Sequence, residues 1–135
     1  MLYKGSCLCG EITFVIEGEF ERFFFCHCER CRKDTGSAHA ANLFSSTAKL
    51  SWLSGENKAK TFNFNSDGHV KSFCTTCGSA LPNIQMDGKL LVIPAGSIDS
   101  EIHFKPQGHI FFANKANWDN DLEKVPKFDQ LPEGN

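Results

Sequence analysis

The hydrophobic positions of this chain follow a period of two more often than a helical period. Ile12, Phe14 and Ile16 alternate with Thr13, Val15 and Glu17, the pattern of a strand with one face buried. Phe62 and Phe64 alternate with Asn63 and Asn65 in the same way. Further strands are expected over residues 21–25, 40–44, 49–53, 70–73, 90–95 and 109–113. Turn pairs separate these runs: Glu17-Gly18, Ser54-Gly55, Asp67-Gly68 and Asp87-Gly88. One helical turn is expected over residues 28–34, where Glu29, Arg30, Arg32 and Lys33 favour helix and Gly36 can close it. The tail from Asp119 carries Pro126, Pro132 and Gly134, so an irregular cover that frays after about residue 128 is expected. The fold class predicted is all-β with one short helical turn, and the 13 phenylalanines suit its half-buried pleated surfaces.

Composition narrows the picture. A chain of 135 residues with no linker or internal repeat fits a single domain over 1–135. The longest apolar run, residues 90–95, is far too short to span a bilayer. A net charge of −2 and a pI near 6.2 give no basic footprint for nucleic acid or an anionic membrane. The first residues lack the basic and apolar regions of a signal peptide, so a cytoplasmic location is expected.

The candidate chemistry lies in seven cysteines, grouped as Cys7/Cys9, Cys26/Cys28/Cys31 and Cys74/Cys77. An odd count excludes a complete disulfide set, and a reducing cytosol disfavours one. A lone C-x-x-C is ambiguous between redox chemistry and metal binding, but three clusters in a short chain favour zinc. The two pairs make one complete four-thiolate set: Cys7, Cys9, Cys74 and Cys77. The remaining cluster supplies Cys26, Cys28 and Cys31 from six consecutive residues. Two zinc ions per chain are therefore expected, the first closed and structural. The second keeps a fourth position for water or substrate and is more labile. With every cysteine ligating as thiolate, the formal charge of −2 becomes about −5.

His27 is either a fourth ligand of the second site or a residue behind it. In an extended Cys-His-Cys segment its side chain points away from its neighbours, which favours the latter. His39, His69, His103 and His109 stand isolated in sequence and read as surface or packed residues.

The segments Gly5-Ser-Cys7-Leu-Cys9-Gly10, Cys26-His-Cys28-Glu-Arg-Cys31-Arg32 and Phe73-Cys74-Thr-Thr-Cys77-Gly78-Ser79 closely resemble those of the glutathione-dependent formaldehyde-activating enzyme family, which also includes centromere protein V. Pro106-Gln-Gly-His109-Ile110 and Lys115-Ala-Asn-Trp118 resemble the family's ending. The resemblance implies a β-tent fold, small twisted sheets pinned by zinc, and the same division into a structural four-cysteine site and a second site at Cys26, Cys28 and Cys31. It also implies a carbon–sulfur lyase that adds glutathione to formaldehyde to give S-hydroxymethylglutathione. This chain is shorter than the named enzyme, and no set of glutathione-gripping residues is evident in it.

On that reading the Cys26/Cys28/Cys31 zinc is catalytic and holds the substrate sulfur as thiolate, while His27 or a bound water supplies a proton to the product oxygen. Arg32 and Lys33 either attract the glutathione carboxylates or form a solvated helix face. Ser37 and His39 are expected to line the pocket, and Trp118 to serve as core or cover. The alternative is a non-catalytic, zinc-stabilised binding module. A thiol oxidoreductase like the B-type methionine sulfoxide reductases ranks last, because no cysteine stands apart from the clusters.

Overall fold

A computed structural model describes residues 1–64 and 68–133. Three sheets and one α-helix make up its regular structure. In the first sheet β1 (Leu2–Ser6), β2 (Thr13–Glu17) and β5 (Lys49–Ser54) run in the order β1-β2-β5, antiparallel throughout. The alternation seen in the sequence is the inward face of this sheet, with Ile12, Phe14 and Ile16 wholly buried. Gly5 stands opposite Phe14 in the register. A Cβ at Gly5 would overlap the Phe14 ring and the Ser97 carbonyl, so the ring packs there only because the side chain is absent.

The second sheet carries the site. It contains β3 (Arg22–Cys26), β4 (Ala40–Ser45), β9 (Asn83–Gln85), β10 (Leu90–Pro94) and β11 (Gly108–Ile110), in the order β11-β3-β4-β10-β9. β11 joins parallel to β3, placing His109 beside Phe25 and Ile110 beside Cys26. The third sheet is β6 (Ala59–Phe64), β7 (His69–Cys74) and β8 (Ala80–Leu81), with β7 in the middle. The inner faces share a core that includes Tyr3, Phe14, Phe23, Leu43, Leu81 and Ile93.

The fold is all-β with one short helix, α1 (Glu29–Thr35), as the sequence implies. The Cys28 thiolate position caps its start by accepting the Cys31 N–H at 3.3 Å. Gly36, in the left-handed conformation, closes its end through an N–H bond to Arg32 O.

Several expectations need correcting. β6 alternates in sequence but not in burial, since Phe62 and Phe64 remain 56% and 37% exposed. The strand lies at the edge of its sheet, and Phe64 is covered only in part, by the Arg30 guanidinium 5.5 Å above its ring. The strand expected over 109–113 stops at Ile110, because Phe111 turns into the left-handed region and residues 112–114 form a 3-10 turn. Trp118 is 58% exposed and belongs to no core. The tail is irregular as expected, yet it is anchored by the buried Ala116 and Asp119. Asn65, the Asp67 half of the Asp67-Gly68 turn and Gly134 lie outside the described residues.

Candidate metal centres and adjoining cavities

Two turns facing each other build the first sulfur cluster. Past the end of β1 the chain folds back, with Gly10 N–H bonded to Cys7 O at 3.1 Å and Cys7 N–H to Ile12 O at 3.0 Å. Past β7, Gly78 N–H bonds to Cys74 O at 2.7 Å. The Leu8 N–H donates to Ser79 Oγ at 2.9 Å and ties one turn to the other. The sulfurs of Cys7, Cys9, Cys74 and Cys77 all lie within 4.8 Å of one another, with Cys7 and Cys9 3.5 Å apart and Cys9 and Cys74 3.9 Å apart.

Protons are shared unequally in this group. The Ser79 hydroxyl, helped by the Cys9 and Ser79 N–H groups, pulls Cys77 down to about 5. At Cys9 the Glu11 N–H favours the thiolate, but burial and the sulfurs of Cys7, Cys77 and Cys74 outweigh it and push the thiol up to about 12. Four sulfurs this close cannot all ionise on their own. A soft divalent cation removes that conflict, and four sulfurs complete its tetrahedron.

The second cluster is local. Cys26 ends β3, Cys28 caps α1 and Cys31 lies in its first turn. Their three sulfurs also fall within 4.8 Å of one another. Burial, followed by the neighbouring Cys26 and Cys28, raises the Cys31 thiol. Burial opposes ionisation of Cys28 too, but hydrogen bonds from the Cys31 N–H and from the Cys31 and Cys26 thiols lower it overall. The group holds three donors and no histidine or carboxylate, so a metal bound there keeps one position for another ligand. Among the described residues these two are the sets close enough to hold a metal ion.

A cavity of about 350 Å³ opens beside the three-cysteine cluster and is lined in part by Cys26 and Cys31. Asp34, His69 and Lys71 also line it. Asp34 Oδ2 lies 2.8 Å from His69 Nε2 and Oδ1 lies 2.9 Å from Lys71 Nζ. The same ammonium donates to the Asp34 carbonyl at 2.6 Å.

A different cavity, of about 510 Å³, holds three histidines: His27, His39 and His109, with Phe112, Lys115 and Asp119. His27 Nε2 and His109 Nδ1 are 2.8 Å apart, and His27 Nδ1 is 3.1 Å from Asp119 Oδ2. Only 1% of His27 is exposed. Burial lowers its proton affinity and outweighs the attraction of Asp119, while His39, His109 and Lys115 add to the lowering. His39 stacks on Phe25 with ring centroids 4.4 Å apart.

The structure thus divides the residues that the sequence grouped around the second site. Cys26, Cys28 and Cys31 come together. His27 and His39 face the histidine cavity instead. Arg32 Nε donates to the His27 carbonyl at 3.3 Å, and Ser37 is exposed; neither lines the cavity beside Cys26 and Cys31. His39, His69 and His109, isolated in sequence, are packed residues in the structure, each against other polar or aromatic groups. His103 does sit at the surface, 3.7 Å from Glu101. Asp34, His69 and Lys71 escaped sequence reasoning. The one available signal was His69-x-Lys71 sharing a strand face just ahead of Phe73-Cys74, and nothing in the sequence joins it to Asp34.

Small sheets, one closed four-sulfur cluster and one open three-sulfur cluster define a class of cysteine-stapled all-β proteins. Residues 2–114 match the family model described as glutathione-dependent formaldehyde-activating enzyme, and the chain belongs to that family. The fold recurs in the crystal structure of a Rhodobacter sphaeroides protein, with a TM-score of 0.59 at 20% identity, covering 78% of this chain and 98% of that one. No curated protein matches the sequence.

Proposed function

We propose that this chain is a zinc-dependent carbon–sulfur lyase or synthase acting on thiol adducts, with glutathione and formaldehyde as the reacting pair. The observation that carries this reading is a three-sulfur cluster bordering a cavity large enough for a small thiol. Family membership supplies the substrate class. Zinc bound by Cys26, Cys28 and Cys31 would supply an open position that takes a substrate sulfur as thiolate.

The chain's own residues do the rest. β3 and α1 fix the three sulfurs within one short segment, so the cluster forms wherever α1 is capped. The cavity walls hold the thiol and the aldehyde together, which raises their effective concentration. The four-cysteine cluster, built from segments 65 residues apart, serves structure and has no position left for substrate. The second zinc is the more labile of the two. Among the described residues no helix is long and apolar enough to cross a membrane.

Two measurements test the reading. Elemental analysis is expected to give two zinc ions per chain. Exchange spectroscopy of glutathione with formaldehyde is expected to show interconversion with S-hydroxymethylglutathione above the uncatalysed rate. One zinc per chain with exchange at background would favour the non-catalytic module.

A further inference from the structure

Adding a thiol to an aldehyde moves one proton from sulfur to oxygen, and a group beside the reacting atoms must carry it. His27 faces the wrong way for this task. Its two ring nitrogens meet His109 and Asp119 in the histidine cavity, away from the groove lined by Cys26 and Cys31.

That groove has a histidine of its own. His69 projects from β7, with Nε2 2.8 Å from Asp34 Oδ2. The carboxylate is held on its other side by Lys71, which grips both Oδ1 and the Asp34 carbonyl. Asp34 is therefore fixed in place and its charge is offset by an ammonium. It orients the imidazole by accepting the Nε2 proton, which leaves Nδ1 as the nitrogen able to exchange a proton with a ligand.

The other elements around His69 bring one further charge near it. Its cross-strand neighbour on β6 is Phe64, whose ring lies 5.5 Å from the Arg30 guanidinium of α1. From the second sheet the groove receives Asn42, Asn83 and Gln85, which are polar but do not titrate. Its titratable members are Asp34 and Cys31 from α1, Cys26 from β3, and His69 and Lys71 from β7.

We propose that His69, positioned by the Asp34–Lys71 pair, carries the proton between thiol and aldehyde oxygen in the groove beside Cys26 and Cys31. The proposal rests on the function given above and names the acid–base group of that reaction. In the forward direction the thiol S–H bond breaks and its proton goes to Nδ1. The sulfur electron pair forms the new C–S bond, and the carbonyl π pair moves onto oxygen. The same proton then returns to that oxygen as the product hydroxyl. The reverse reaction takes the hydroxyl proton first. No oxidant or further reactant is needed.

The test uses the zinc-loaded full chain, glutathione and formaldehyde. His69→Gln is expected to lower the exchange rate at neutral pH about 100-fold or more and to remove the acid limb of the pH profile. Zinc content and melting temperature are expected to stay at wild-type values. Asp34→Asn acts through His69, so a smaller loss is expected, about tenfold, in kcat with the KM for glutathione unchanged.

A second measurement needs no variant. The ring ¹⁵N signals of His69 in the wild-type protein are expected to shift when glutathione is added, and those of His103 to stay put. A His69→Gln enzyme with the wild-type rate and profile overturns the assignment. So do His69 ring signals that ignore bound glutathione. A wild-type protein that never exceeds the uncatalysed rate overturns the function itself, and the role of His69 with it.

Discussion

The two sulfur clusters are built in opposite ways. Cys7 and Cys9 follow β1, whereas Cys74 and Cys77 sit at the far end of the third sheet, so the first cluster joins segments 65 residues apart. Cys26, Cys28 and Cys31 come from six neighbouring positions and need only the end of β3 and a capped turn of α1. A cross-link between distant segments constrains the whole chain, while a local one constrains little. The difference teaches that two clusters of the same residue type constrain the chain unequally: distant donors tie remote segments together, and local donors restrain only one turn.

The largest expected contrast comes from removing one sulfur from each cluster. Cys74 is wholly buried, and Cys74→Ala is expected to abolish cooperative thermal unfolding. Binding of structural zinc contributes about 10–16 kcal/mol in small zinc peptides, comparable to the whole stability of a domain at about 5–15 kcal/mol. Cys28→Ala is expected to keep the melting temperature within about 5 °C, a change of roughly 1 kcal/mol or less. It should also cut zinc from two ions to one and reduce adduct exchange about 100-fold or more. Equal melting losses in the two variants would break the comparison.

A smaller contrast is expected on acidification. Metal binds the thiolates, so falling pH adds protons in competition and drives metal off. The first cluster offers an ion four sulfurs and the second only three. The three-cysteine site is therefore expected to empty first, at a higher pH, in a titration followed with a zinc-sensitive dye. Release of both ions in a single step would remove the distinction.

The smallest effects are expected at residues the groove does not use. Arg32→Ala removes a bond to the His27 carbonyl, worth about 1 kcal/mol, and Ser37→Ala removes an exposed hydroxyl. Each is expected to leave the exchange rate within about threefold of wild type. A loss of about 30-fold at either position would extend the reacting site beyond the groove.

What the sequence showed, and what it hid, follows from the range of each interaction. β2 was legible because period-two burial is written into its consecutive residues, and β10 because an unbroken apolar run marks a strand buried on both faces. β1 was not, since its inward positions are Tyr3 and Gly5 and a glycine reads as a break. β8 and β9, of two and three residues, are too short to show any period. The sulfur clusters were legible because spacing along the chain alone brings most donors close together. The acidic clamp on His69 was not, because Asp34 and His69 stand 35 residues apart and meet only once α1 lies beside β7. His27 marks the same limit: its neighbours in sequence are two cysteines, but the groups its side chain meets, His109 and Asp119, lie more than 80 residues away.

The spread of the four-cysteine cluster also has a consequence during synthesis. Its last donor, Cys77, leaves the ribosome roughly a few seconds after Cys31 at about 5–20 residues per second. The three-cysteine cluster is chemically complete while the third sheet has yet to be translated. In the nascent chain the order of metal capture therefore runs against the order of retention, and the site expected to let go first is the one whose donors are all present first.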